Sequence, residues 1–182
     1  MSIIVRNFQK SVAFNLDKVK GDLKALRRIL RVERFDVSVI CVEDKDIRQM
    51  NKIYRATDEP TDVLSFPAHE NLKPGRLPDP WSDLADLGDM FLGMGYIERD
   101  CTKHNADIDD VLPVIITHGL CHLIGYDHKT QEQWKMMHDR ELQILEQFKK
   151  LTGQDLQPLT GRSDFLQAHH TDPQQHSQPT PA

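Results

Sequence analysis

The sequence predicts an α+β domain, a small mixed β-sheet of about four strands covered by helices, on three observations. Short apolar runs with the composition of strands recur at Ile3–Phe8, Phe35–Val42, Val63–Phe66 and Asp89–Leu92, the first two rich in β-branched residues. Apolar residues recur every three or four positions in the intervening and following segments, the period of amphipathic helices. The resulting order, β-α-β-α-β-β-α-α-α, puts helices on a sheet too small to be a sandwich.

The 182 residues fit one domain with a tail. The domain is expected over residues 1–158. Residues 159–182 turn to Gln, His, Pro, Ser and Thr and are expected to be disordered, because they cannot bury enough apolar surface to order themselves. His169, His170 and His176 lie in this tail. No apolar run reaches membrane-spanning length, so a soluble protein without a membrane partner is expected. Cys41, Cys101 and Cys121 are odd in number and widely spaced, and read as buried thiols in a reducing compartment. The net charge of −5 hides an asymmetry: residues 1–34 hold nine Lys and Arg against three acids. That stripe is either a solvated helix face or a surface that steers phosphates, and charge alone does not choose.

The chain in order gives each element a reason. Ile3–Phe8 reads as a first strand, although the first sixteen residues also have the acid-free composition of a transit peptide. From Asp17 to Leu30, Val19, Leu23, Leu26, Ile29 and Leu30 make a helical stripe. Phe35–Val42 is the densest β-branched run and reads as a central strand. Asp44 is placed as the N-cap of a helix carrying Ile47, Met50, Ile53 and Tyr54 and ending near Arg55. Pro67 closes the third strand. The proline- and acid-rich stretch between it and the fourth strand is either a lid or a mobile insert. The last helix, Thr130 to Leu151, has Thr130 as its cap and Trp134, Met137, Leu142, Leu145 and Phe148 at helical spacing, and Gly153 ends it.

The chemistry concentrates at residues 117–128, THGLCHLIGYDH. Asp109 and Asp110 precede the apolar run Val111–Ile116, which suits a buried helix with acids at its N-terminal dipole and Pro113 confined to its first turn. His118 and His122 are four residues apart on one helix face, and Gly125 permits a turn that returns His128 toward them. Histidines at i, i+4 and i+10 with Gly at i+7 match the ligand spacing of the long zinc motif of metzincin proteases. Gly119 stands where those proteases place their general-base Glu. Three imidazoles leave a tetrahedral zinc one open position, the arrangement of a catalytic site. One Zn2+ per chain, held by His118, His122 and His128, is therefore expected.

HGLCHLIGYDH, preceded in order by Tyr54-Arg55, TDVLSFP at 61–67 and Leu87-Gly88-Asp89, resembles the signature blocks of the YbeY family over about residues 1 to 160. The resemblance implies a zinc-dependent single-strand endoribonuclease acting in ribosomal RNA maturation and small-subunit assembly, with RNA and small-subunit proteins as partners. Likeness to vertebrate members, through THGLCHL and Gln157-Pro158-Leu159, implies a mitochondrial location, with a cytoplasmic one as the alternative.

Catalysis is then expected to run through His118, Arg55 and Asp127. An Arg at a helix end is compatible with plain surface, but its guanidinium also suits charge developing on a phosphoryl oxygen, and the resemblance favours that role. Asp127 is the nearest substitute for the missing base, or a group that orients an imidazole. Thr61, Asp62 and Ser65 match the same block without a distinct role. Whether water or the ribose 2′-hydroxyl attacks stays open, as do two other readings: a zinc peptidase, and an assembly factor whose metal is structural.

Overall fold

The computed structural model describes residues 3–161, in which nine regular elements and a terminal 3-10 turn follow the expected order. Strand β1 (Ile3–Asn7) and helix α1 (Leu16–Leu30) lead to β2 (Asp36–Val42) and α2 (Asp44–Arg55). Strands β3 (Val63–Pro67) and β4 (Asp86–Gly93) precede α3 (Met94–His104), α4 (Ile108–Leu123) and α5 (Gln131–Thr152). The sheet order is β1-β2-β4-β3, with β2 parallel to both neighbours and β3 antiparallel at the edge. Among the described residues no helix is long and apolar enough to cross a membrane.

Alternation along the strands sorts side chains to two faces. Val37, Val39, Cys41, Met90 and Leu92 join α1, α4 and α5 in the main core, which also takes Cys101 and Cys121. Ile40, Val42, Leu64, Phe66 and Phe91 face the other way, where Ile47 and Met50 of α2 cover them. All three cysteines are buried free thiols, as expected. Burial pushes the Cys41 thiol up to about 12, so it stays protonated and unreactive.

Several local expectations are corrected. Glu43, not Asp44, occupies the N-cap of α2. Asp44 is the first helical residue and pairs with Arg99 of α3, while Glu43 accepts from Lys10 N–H and the Ser11 hydroxyl. Pro113 is the sixth residue of α4 rather than a first-turn residue. Its missing N–H frees the carbonyl of Asp109 four residues earlier, and Lys18 of α1 supplies the replacement donor at 2.7 Å. The basic stripe is thinner than its sequence: Lys18 is engaged there and with Asp22, and the Arg27 guanidinium is buried against the carbonyls of Glu33 and Phe35.

Packing also runs past residue 158. Leu159 and Thr160 are buried in a short 3-10 turn, because the hydroxyl and amide of Thr160 find partners on α5. The expected disorder is therefore wrong for 159–161, and residues 162–182, with His169, His170 and His176, lie outside the described residues. The stretch between β3 and β4 is tied down: Gly75 N–H donates to Ile124 O at 2.9 Å, Leu77 packs on the core, and Arg34 lies over the Trp81 ring.

Candidate metal centre

Helix α4 is capped by Asp107, whose carboxylate accepts from Asp109 N–H, and is buried along nearly its whole length. It crosses the edge strand at Gly119. A Cβ there would sit 2.4 Å from Met90 Sδ and 3.2 Å from Ser65 Oγ, so glycine is what lets α4 approach β3 and β4 this closely. A side chain at the position of the protease Glu would have to displace Met90.

His118 and His122 leave this helix toward one point, and the turn through Gly125 (φ +93°) brings His128 to it. The loop before β4 supports that turn: Leu72 leaves no room for a Cβ on Gly125. Ring centroids are 4.7 Å apart for His118 and His122, 5.3 Å for His118 and His128, and 5.0 Å for His122 and His128. One nitrogen from each ring lies within 4.8 Å of the other two. The sequence-predicted triad is assembled.

The hydrogen bonds around the rings decide what the site fits. His118 Nδ1 is 2.7 Å from Glu141 Oε1, and His122 Nδ1 is 3.1 Å from the carbonyl of Tyr126. Both partners accept, so both Nδ1 atoms carry the proton. Burial first, and then the charges of His118 and His128, hold His122 well below the usual imidazole range, so it is neutral near pH 7. The Nε2 atoms of His118 and His122 then face each other 3.1 Å apart. Imidazoles that protein acceptors orient so that one nitrogen of each converges on a common point are the donor set a zinc ion takes.

Glu141 was not singled out by the sequence reading. Its signal is that it falls on the buried stripe of α5, with Met137, Ile144, Leu145 and Phe148, where a carboxylate needs partners.

Asp127 is placed differently from a general base. One oxygen accepts from His128 N–H at 2.8 Å and the other pairs with Lys129 at 2.7 Å. Burial pushes its carboxyl up, but these two partners outweigh that and leave it below the usual carboxylate value. It fixes the backbone of the third ligand.

Arg55 ends α2 as an exposed residue whose side chain has no ion pair among the described residues. Its charge acts on His122, contributing to the lowering described above. Asp62 accepts from Val63 N–H at 2.7 Å and from the Thr61 hydroxyl, a local cap at the start of β3. Ser65 Oγ is buried without a hydrogen-bond partner among the described residues.

Comparisons with known proteins point to one family. Residues 4–149 match the family model described as Endoribonuclease YbeY. A human protein named Endoribonuclease YbeY is 46% identical over 161 residues, covering 88% of this chain and 96% of the relative. One of the same name from Thermoanaerobacter pseudethanolicus is 30% identical over 154 residues, covering 80% and 96%. A Thermotoga maritima protein known from a solution structure aligns at 21% identity with a TM-score of 0.49, covering 88% of this chain and 99% of that one. The match across most of both chains places this chain in the YbeY family of endoribonucleases.

Proposed function

We propose that the His118–His122–His128 centre binds one zinc ion and cleaves single-stranded RNA, as an endoribonuclease in ribosomal RNA maturation and small-subunit assembly. The observation that carries this reading is the convergence of one ring nitrogen each from His118, His122 and His128 within 4.8 Å of one another, with the charge of Arg55 acting on the His122 ring. Bound zinc would supply a Lewis acid for a phosphoryl oxygen, or acidify a water molecule.

The protein's own residues do the rest. Glu141 and the Tyr126 carbonyl hold His118 and His122 in the tautomer that offers Nε2. Asp127 holds the backbone of His128. Arg55 stabilises the charge that develops on the phosphoryl oxygens, a role that a planar, permanently charged guanidinium suits. Gly119 leaves no carboxylate where a peptidase of matching ligand spacing places its base, which disfavours peptide hydrolysis. Small-subunit proteins are the partners, and the mitochondrion the location, that likeness to vertebrate members supports.

The test is cleavage of a single-stranded ribosomal RNA fragment by the zinc-loaded protein, with a peptide substrate in parallel. RNA cleavage that disappears with a chelator and returns with zinc supports the proposal. Peptide hydrolysis without RNA cleavage would replace it with the peptidase reading. Zinc bound without either activity would leave an assembly factor with a structural metal.

A further inference from the structure

We propose that Thr160, in the turn Leu159–Gly161, is a positioning residue of the metal centre: acting through Glu141, it fixes His118 as a ligand, so the segment beyond the last helix sets how tightly the site holds metal. The inference rests on the metal reading above. Thr160 lies outside residues 4–149, the span matched by the family model.

The hydrogen bonds form a chain with one direction. Glu141 is 1% exposed and Thr160 is fully buried, so neither can exchange a partner for bulk water. Glu141 Oε2 accepts from Thr160 N–H at 3.2 Å and from the Thr160 hydroxyl. That hydroxyl has one proton, already given to Glu141, so His138 Nδ1, 2.9 Å away, must donate to it. Glu141 Oε1 is left to accept from His118 Nδ1, which turns Nε2 of that ring toward His122. Each step determines the next, and the last is the orientation of a metal ligand.

The turn is anchored independently. Trp134 Nε1 donates to Thr160 O at 3.3 Å, and the Trp134 ring stacks on His138 with centroids 5.0 Å apart and planes 9° from parallel. His138 is not in the group of converging ring nitrogens, and its position is explained by this chain. A buried carboxylate with three donors is a fixed acceptor. With one donor removed it can turn, and the ring it holds can turn with it.

The experiment measures zinc affinity of the full chain, by competition with a chromophoric chelator, and the visible spectrum of the cobalt-substituted protein. Variants are Thr160→Val, which keeps the shape and amide but removes the hydroxyl, and Thr160→Ser, which restores it. The expected result is zinc binding weakened by about tenfold or more in Thr160→Val, with a changed cobalt spectrum and both restored in Thr160→Ser. A folded Thr160→Val with wild-type affinity and spectrum would overturn the inference and leave the metal reading standing. Wild type that binds no zinc overturns both.

Amide hydrogen exchange on the wild type covers the case of a variant that does not fold. Coupling between two sites is reciprocal, so zinc must slow exchange at the Thr160 amide. Protection at residues 118–128 without any change at Thr160 contradicts the inference.

Discussion

The Cα of Gly119 faces Met90 so closely that a Cβ would lie 2.4 Å from its sulfur. This contact sets the distance between the motif helix and the sheet. Gly119→Ala is expected to cost about 1–3 kcal/mol by overpacking, read as a lowered midpoint of denaturation. Met90→Ala alone opens a cavity, but combining it with Gly119→Ala should recover part of the loss, because each change relieves the other. Additive losses in a double-mutant cycle would show that Met90 is not the obstacle.

The metal triad was legible in the sequence because its parts are local: one helix turn separates His118 from His122, and one glycine turn separates His122 from His128. β1 and β2 were legible because Val and Ile crowd them, and β3 and β4 because short apolar runs stand beside Pro67 and Gly88. β4 begins earlier than its apolar run, at Asp86, because pairing of Asp86 with Asp36 and of Gly88 with Pro67 extends it through residues of weak strand preference. Glu141 was not legible as a partner of His118, since an acid on an amphipathic helix reads as solvent-facing until the fold buries it. Thr160 sits in a polar ending whose local composition argues against order, and its contacts with Glu141, Trp134 and His138 explain why it is ordered. Asp44 has the residue type of a cap, but its carboxylate is taken by Arg99.

A second prediction concerns the metal-free protein and pH. Burial, then the charges of His118 and His128, hold His122 well below its ordinary value of 6.5. The unfolded chain therefore binds more protons than the fold as the pH falls past about 6.5. The stability this neutral imidazole contributes is complete above that pH and declines below it. Asp127, also held low, acts in the same direction around its ordinary 3.8. Thermal denaturation of chelator-treated protein at pH 7.5 and pH 5.5 should give the lower midpoint at pH 5.5. His122→Phe should flatten the difference. A midpoint independent of pH in the wild type would contradict the burial of a neutral His122.

The proline in α4 gives a third. Lys18 donates to the Asp109 carbonyl that Pro113 leaves without its helical partner, and also pairs with Asp22. Lys18→Met is expected to destabilise the fold by about 1–3 kcal/mol, since both acceptors lose a donor. With Pro113→Ala in place, the alanine N–H restores the helical bond, and the cost of Lys18→Met should shrink. Equal costs in the two backgrounds, by urea denaturation, would show that Lys18 does not compensate for the proline.

The most direct test of the central claim is zinc content and single-stranded RNA cleavage measured together for wild type, Arg55→Ala and His122→Ala. The account predicts one zinc per chain in wild type and Arg55→Ala, loss of zinc in His122→Ala, and loss of cleavage in both variants. For Arg55→Ala the fall should be about a hundredfold or more, the scale of removing one group that stabilises developing charge. Cleavage that persists in His122→Ala without bound zinc would contradict the account.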